Sequence, residues 1–586
     1  MGLIYTTDNC VGCNKCVRVC SAPGASVSRH WQNRTWIHVD DDRCIGCGVC
    51  FDVCEHQARA YEDDTDQFFA DLRNGKEKIS LLLAPSFLAN YPEDYGRILG
   101  GLKDLGINQI ISVSFGADIC TWGYLNYMKS HDFYGGISTP CPVAVTYIQR
   151  YLPELIPMLM PVQTPLMCTA IYCRKVLGIT DKFAFISPCI QKRDEIRDPA
   201  NEGLVSYNVT FQNLMKYVRE DNIYGENASD KVIYGLGSVY PMPGGLKENV
   251  QWFLGNVPIR VIDGKRRLYR WFKANKDRIR DRETPFALID ALNCEDGCMC
   301  GTAVETEKGK TDDALYELLN IRNNVMNSQT NEAWGKELTP EERFAHINEQ
   351  FKDLKLEDYV REYSDLSHMV KYRIPSEEKL NEIFHSMHKH TPESRKINCS
   401  YCGYDSCMDM ATAICNGFNE KENCIYFRNW KEVYLERMSF RDELTGVMNR
   451  NAYEQIVGVN EDFKGLLGVV IGDVNGLKLV NDTLGHQAGD NLIHNAASSM
   501  AAIFGENNVY RIGGDEFLAI IRGFDKEENE KNLNRIRQLM AEKDGSISLG
   551  YASSCNRNIA ISDLVKEADA MMYREKQEYH RIHGKR

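Results

Sequence analysis

The sequence predicts a multidomain protein that combines α+β and α/β units, and three observations carry that reading. Its 586 residues exceed what one hydrophobic core sustains, and at about 150 residues per domain they imply three to five units. Tight cysteine runs near the N-terminus and again after residue 398 bracket a stretch in which short apolar runs alternate with helical periodicity. Close to the C-terminus, two strand-forming runs flank Gly513-Gly514-Asp515-Glu516. The motifs divide the chain into four folded segments joined in one place by a helix.

Composition narrows the function classes. A net charge of −13 disfavours nonspecific nucleic-acid binding through a basic surface, so any nucleotide must be held by local donors and metal. The longest apolar runs fall short of the ~20 residues that span a bilayer, and no signal-peptide core follows Met1. Met1-Gly2-Leu3-Ile4-Tyr5-Thr6 fits a loose acylation pattern, which is read as coincidence. The 22 cysteines sit in clusters with metal-binding spacing, the usage of a reducing compartment. A cytoplasmic location is expected.

In order along the chain, Cys10-x-x-Cys13-x-x-Cys16-x-x-x-Cys20 is followed by Cys44-x-x-Cys47-x-x-Cys50-x-x-x-Cys54, the same motif twice. Three thiolates at intervals of three wrap one face of a 4Fe-4S cubane, and in two-cluster ferredoxins the fourth cysteine of each run ligates the other cluster. On that pattern Cys10, Cys13, Cys16 and Cys54 hold one cluster, while Cys44, Cys47, Cys50 and Cys20 hold the second. Two zinc sites are the alternative, although zinc wants four ligands per site without a shared register. Ser21 and Glu55 stand where a proline usually follows the fourth cysteine. A ferredoxin-like domain over residues 1–75 carries electrons and performs no chemistry on a substrate.

Residues 76–390 read as α/β with a charged helical extension after 305. A strand is expected at 79–84 and helical periodicity through Ile98, Leu102 and Leu105. Two further strands end near cysteines, 183–188 before Cys189 and 286–293 before Cys294, and the carboxyl ends of such strands face the crevice where α/β folds bind cofactors. A lone cysteine is usually a small buried hydrophobe. Together, however, Thr139-Pro140-Cys141-Pro142, Ser187-Pro188-Cys189-Ile190-Gln191-Lys192 and Cys294-Glu295-Asp296-Gly297-Cys298 resemble, in order, the three cluster-binding signatures of the iron-only hydrogenases. Phe115-Gly116-Ala117-Asp118 is similar to another segment of that family.

That resemblance implies that Cys141, Cys189, Cys294 and Cys298 hold a 4Fe-4S cubane, that Cys298 bridges it to a diiron subcluster, and that Lys192 sits beside a cyanide ligand. The departures are informative. Pro140 replaces the proton-carrying cysteine of hydrogenases with high turnover, and Gly123, Tyr124 and Tyr127 occupy the region of the relay glutamates; fast proton exchange needs side chains that titrate. Met299-Cys300-Gly301-Thr302 replaces a glycine-rich run. A sensory relative of the hydrogenases is therefore expected. His385, His388 and His390 in the extension are read as a solvated helix end in preference to a metal site.

Cys399-x-x-Cys402-x-x-x-x-Cys407, then Cys424 after a helix-like 408–417, forms a further four-cysteine set over 391–425. It resembles the small 4Fe-4S domain of corrinoid iron-sulfur proteins and some sensory hydrogenases, with a zinc knuckle as the alternative and Cys415 read as packing. Residues 426–440 form a signalling helix, with Phe427, Trp430, Val433, Tyr434 and Met438 spaced at three and four. Such a stripe is a core face or the seam of a homodimer.

In the last segment, 441–586, Gly513-Gly514 is expected to supply the positive φ of a two-residue hairpin connection, and the buried run 466–471 delivers Asp473 from its end. Gly next to Asp is also ordinary turn chemistry. The motifs Asp442-Glu443-Leu444-Thr445, Asp473-Val474-Asn475-Gly476-Leu477-Lys478, Asn481-Asp482 and Gly485-His486-Gln487-Ala488-Gly489-Asp490 occur in the order and spacing of the GGDEF diguanylate cyclases, whose palm domain joins two GTP molecules into cyclic di-GMP. The resemblance implies Mg²⁺ on Asp473, Asp515 and the Val474 carbonyl, Asp515 as base, Glu516 sharing in metal binding, Asn481 and Asp490 reading guanine, and Lys478 and Lys576 contacting phosphates. His580 stands where the family has an arginine, with Arg581 one further on. Many members are inhibited by their product through an Arg-x-x-Asp before the catalytic turn; here those positions are Phe504-Gly505-Glu506-Asn507.

The expected function is a diguanylate cyclase set by redox state or hydrogen through iron-sulfur modules, with GTP, cyclic di-GMP and a redox partner or hydrogen as its molecular partners and neither membrane nor nucleic acid among them. The alternatives are a working hydrogenase with a regulatory tail, and a nucleotide-reporting binding protein with an inactive cyclase. Intact acids argue against the latter, Pro140 against the former.

Overall fold

The computed structural model describes residues 2–32, 34–230, 235–308, 311–327, 338–458, 466–523, 525–555 and 560–584, which fall into two units, residues 1–425 and 426–586. No helix among the described residues is long and apolar enough to cross a membrane.

In the first unit, the continuous apolar runs of the α/β segment become parallel strands buried on both faces, as parallel sheets require. Ile79–Leu83 is buried at every position and lies between Ile110–Ser112 and Lys182–Ser187, with Tyr207–Thr210 at the far edge. A second parallel sheet orders Ile259–Ile262, Leu288–Ala291 and Gly136–Ile137. Cys189 and Cys294 follow the carboxyl ends of Lys182–Ser187 and Leu288–Ala291, so each sheet delivers a thiol from a strand end.

The charged extension packs against this core: Val325, Ile347, Phe351 and Tyr359 join the apolar cluster of Ile119, Trp122 and Leu125. Its helix Pro340–Gln350 starts at a reciprocal capping box between Thr339 and Glu342, which satisfies two otherwise orphaned N–H groups. Part of the extension, 328–337, lies outside the described residues.

The N-terminal segment contributes two antiparallel pairs, Ile4–Thr6 with Arg59–Tyr61 and Ser26–Trp31 with Arg34–Val39. The segment around Cys399–Cys424 docks on the second pair. Ser28 N–H donates to the Phe418 carbonyl at 3.0 Å, Asn423 Nδ2 donates to Ser28 Oγ at 2.6 Å, and His30 N–H donates to Glu420 at 2.9 Å. Arg43 lies over the Phe418 ring, 4.6 Å from its centroid. The iron-sulfur-type segments thus fold as one body, although they are far apart in sequence.

Asp118 is a buried acid in the α/β core, accepting from Gly237 N–H at 2.7 Å, and burial pushes its pKa up to about 8. A folded pKa above the unfolded value of about 3.9 gives stability that is full in acid and lost as pH rises toward 8. The stability of Asp118→Asn relative to the parent should therefore rise from pH 5 to 8, by at most about 1.4 kcal/mol per pH unit. Thermal midpoints across that range check this; a constant offset between the two proteins contradicts it.

The second unit is built on a sheet ordered Met448–Asn449, Val509–Arg511, Glu516–Arg522, Leu467–Val474 and Ile547–Ser554. Leu467–Val474 is buried throughout and antiparallel to both of its neighbours. His486–Phe504 and Lys526–Ala541 carry apolar residues into one core cluster, with Val470 and Phe517. Ile561–His583 carries apolar residues into the other, with Val469 and Leu518.

One local expectation is corrected. Neither Gly513 nor Gly514 has positive φ, and the hairpin closes through Ile512 N–H to the Glu516 carbonyl at 3.0 Å, leaving Gly513, Gly514 and Asp515 as a three-residue turn. The Arg511 guanidinium holds the Gly514 carbonyl at 2.9 Å, so a side-chain clamp shapes the turn in place of left-handed backbone. A Cβ at Gly513 would meet Glu516 Oε2 at 2.8 Å.

Candidate active site and metal centres

The acidic rim of the second unit is set by strand register. Asp473 and Glu516 are direct cross-strand partners, and Val474 N–H donates to the Asp515 carbonyl at 3.0 Å. Asp473 is 3% exposed, whereas Asp515 is half-buried and Glu516 exposed. Burial, partly offset by Lys576, raises the Asp473 pKa, and the charges of Asp515 and Glu516 raise it further. Lys576, projecting from Ile561–His583, donates to Asp473 Oδ2 at 2.5 Å. Oδ1 of the same carboxylate is buried with no partner. An orphaned anionic oxygen beside two further carboxylates has the donor chemistry of a hard divalent cation such as Mg²⁺.

The close packing of Leu477–Leu484 on His486–Phe504 sets Asn481 beside Gly489, the residue before Asp490. A Cβ on Gly489 would lie 1.9 Å from Asn481 Oδ1, so only glycine lets this amide sit beside the turn that carries Asp490. Lys478 stands exposed on the first of these helices. Sequence reasoning missed two braces. Arg511 pairs with both oxygens of Asp442 at 2.9 and 3.1 Å, and Arg441 donates to Asn507 Oδ1 at 2.6 Å and lies 3.8 Å from Glu506. Arg511 immediately before the turn was the available signal, since a charged residue at a strand end facing a loop needs a partner.

In the first unit, Cys141, Cys189, Cys294 and Cys298 converge on one cavity of about 100 Å³, also lined by Pro140 and Lys192. Burial, with the neighbouring thiols adding, pushes Cys189 up to about 11 and Cys294 up to about 12, and raises Cys141 and Cys298. Four thiols converging on one cavity are stable as thiolates only beside strong positive charge, which an iron cluster supplies. Gly297 has φ +76°, and a Cβ there would fall 2.0 Å from the Pro241 carbonyl. Lys192 Nζ reaches the Pro140 carbonyl at 3.4 Å and pairs with buried Glu195.

The two N-terminal cysteine runs interleave. Cys20 acts electrostatically on Cys44, Cys47 and Cys50, adding to the burial that raises all three. Cys54 and Cys50 both pack against the apolar cluster of Cys10 and Cys16. Buried Asn293 links this region to the cavity: its N–H faces Cys141 Sγ at 3.4 Å and its Nδ2 donates to the Cys47 carbonyl at 3.1 Å. In the last set, Cys402, Cys407 and Cys424 are buried and Cys399 is exposed; burial, then Cys424 and Cys399, pushes Cys402 up to about 11. Buried Lys389 faces Cys407 Sγ at 3.6 Å, a neighbour that the histidine-rich stretch around it obscured. Tyr404 of this segment packs against the apolar cluster that contains Cys10, Cys16 and Val17.

His385 and His390 are exposed, with their Nδ1 atoms 3.0 Å apart. Among the described residues, no three His, Cys, Asp or Glu side chains converge as a single bound ion would need, so a cation at the acidic rim would have to draw on two carboxylates and a main-chain oxygen. Cubane thiolates are spread around a larger body than one zinc ion at about 2.3 Å from each sulfur.

Comparison with known families divides the chain along these lines. Residues 439–581 match the GGDEF domain of diguanylate cyclases, and 77–259 match the C-terminal domain of the iron-only hydrogenase large subunit. Residues 9–58 match the 4Fe-4S dicluster domain, and 396–426 match an Fe-S cluster family. The cyclic di-GMP phosphodiesterase PdeR of Escherichia coli (strain K12) is 30% identical over 154 residues, 24% of this chain and 23% of that protein. Diguanylate cyclase DgcN of the same organism is 28% identical over 160 residues, 25% of this chain and 39% of that protein. The chain thus spans about a quarter of the length of the curated relatives it first matches. A solved variant of the FeFe-hydrogenase HydA1 from Chlamydomonas reinhardtii is 16% identical and covers 51% of this chain and 98% of its own, with a TM-score of 0.37.

Proposed function

For a chain that carries an iron-only hydrogenase large-subunit domain, a dicluster 4Fe-4S domain and a GGDEF domain, we propose a diguanylate cyclase that joins two GTP molecules into cyclic di-GMP and is governed by redox state or hydrogen. The observation that carries the reading is the unpartnered, buried Oδ1 of Asp473, opposite Glu516 in register and beside Asp515. Asp473, Asp515 and the Val474 carbonyl would hold Mg²⁺, which when bound stabilises charge on the triphosphate.

The chain's own residues do the rest. Lys576 counters the burial that raises the Asp473 pKa; Asn481 and Asp490 read guanine; Lys478 contacts phosphate. Asp515 takes the proton of the attacking 3′-hydroxyl, the new bond forms to the α-phosphorus, and pyrophosphate leaves. Each site holds one GTP, so two chains face each other as a homodimer. Val433, Tyr434, Leu435 and Met438, all at least 43% exposed on the helix Ile425–Phe440, supply an apolar seam for it. Because that helix follows Cys424 in the chain, a change at the last cluster would reach the facing of the two sites.

The cysteine sets Cys10/Cys13/Cys16/Cys54, Cys44/Cys47/Cys50/Cys20 and Cys399/Cys402/Cys407/Cys424 would each hold a 4Fe-4S cluster. The cavity set would hold a cubane, extended by a diiron subcluster at Cys298, with Lys192 at its edge. The full chain, matured without oxygen and given GTP and Mg²⁺ in reduced, oxidised and hydrogen-treated states, tests the reading. Cyclic di-GMP formation that differs between states supports it; absence of product in every state ends it.

Product feedback is expected to be absent. Phe504 is buried in the core, and Asn507 is occupied by Arg441, so neither position presents the charge that pairs with phosphate and guanine. Initial rates with and without added cyclic di-GMP should coincide; strong inhibition would reveal another product site.

A further inference from the structure

Arg59 is a buried cation that nothing above employs. It is 7% exposed and sits on the strand Arg59–Tyr61, which follows the second N-terminal cysteine run. Its Nη2 donates to Cys16 Sγ at 3.0 Å, and its Nη1 donates to Thr6 Oγ1 and to the Ile37 carbonyl. Among the described residues no carboxylate pairs with it. An unpaired guanidinium inside a fold is costly unless an anion compensates it, and the acidic side chain hydrogen-bonded to it is Cys16 of the first run.

We propose that Arg59 is the counter-charge that raises the reduction potential of the Cys10/Cys13/Cys16/Cys54 cluster, making it the electron sink of the first unit. This rests on the cluster assignment proposed above. Reduction adds one negative charge to a cubane, and a fixed positive charge hydrogen-bonded to a ligand sulfur stabilises the reduced form more than the oxidised one. The place matters. Asn293 joins the cavity thiols to Cys47 on one side, and Tyr404 packs the last cysteine segment against the apolar cluster that contains Cys10, Cys16, Val17 and Ile37 on the other. An electron leaving the cavity thus comes to rest next to the segment that precedes the signalling helix in the chain. Arg59 is a positioning residue for charge and touches no substrate.

The test is an anaerobic redox titration of the full-length protein, followed by the paramagnetic signal of reduced clusters, with iron content measured in parallel. Arg59→Gln removes the charge and Arg59→Lys keeps it. Arg59→Gln, with full iron content, should lower the midpoint of one ferredoxin-type cluster by a factor of ten or more in the reduced-to-oxidised ratio, about 59 mV for one electron, while Arg59→Lys stays near the native value. An unchanged midpoint in Arg59→Gln overturns the proposal. If Arg59→Gln loses iron, Arg59→Lys decides: a native midpoint upholds the charge role, and a lost or equally shifted cluster overturns it. Absence of any reducible cluster in the unmodified protein would instead retire the cluster assignment itself.

Discussion

Asp515→Ala is expected to reduce conversion of GTP to cyclic di-GMP by about a thousandfold or more, because on the proposed mechanism it removes a metal ligand and the base together. The fold should not notice. Asp515 is half-buried in the hairpin turn, and the bond that ties this residue to the sheet is its carbonyl, which accepts from Val474 N–H and survives the substitution. Stability changes away from packed features stay within about 0.5 kcal/mol, so the thermal transition of the variant should overlay that of the parent. Asp473→Asn is a contrasting case: it retains shape in the buried strand but leaves Lys576 Nζ without its anion, and should lose both activity and some stability. Full synthesis by the Asp515→Ala protein would end the assignment of that residue.

Hydrogen turnover by the cavity domain is expected to be slower by about two to four orders of magnitude than in hydrogenases with a complete proton relay, the range that positioned acid–base groups contribute. Pro140 lines the cavity and has neither a titrating side chain nor an N–H. The hydroxyl of Tyr124, downstream where relay acids are expected, is committed to Thr139: it lies 2.9 Å from the Thr139 hydroxyl and accepts from Thr139 N–H at 2.9 Å. Burial raises its pKa well above the ordinary tyrosine value, so it holds its proton. Pro140→Cys should therefore raise turnover only modestly. Anaerobic hydrogen evolution from a chemical reductant measures both proteins, with the infrared CO and CN stretches reporting whether the diiron subcluster is assembled. Rapid evolution by the unmodified protein would move the oxidoreductase reading to first place.

Much of the architecture was legible because it follows from local periodicity. The runs ending before Cys189 and Cys294 became parallel strands, the helices after residues 94 and 425 formed where apolar spacing placed them, and Leu467–Val474 is buried at each position. The catalytic turn was misread for a physical reason. Gly-Gly suggests left-handed backbone, but a long side chain from the preceding strand, Arg511, can fold over and fix a wider turn through the Gly514 carbonyl, an interaction that no short-range propensity encodes.

By itself, the sequence determined the division into iron-sulfur, α/β and strand-rich segments, the cysteine registers and the order of the acidic motifs, since these depend on residue type and spacing along the chain. Tertiary structure alone decided which groups meet. It placed Arg59 against Cys16 from 43 positions away, Lys576 against Asp473 from 103, and Asn293 between cavity thiols and Cys47. It also seated the last cysteine segment on the N-terminal hairpin, nearly 400 residues upstream. Contacts of that separation arise from burying surfaces whose pairing depends on the whole fold, and a buried cation declares its partner only when the packing around it shows which anions remain within reach.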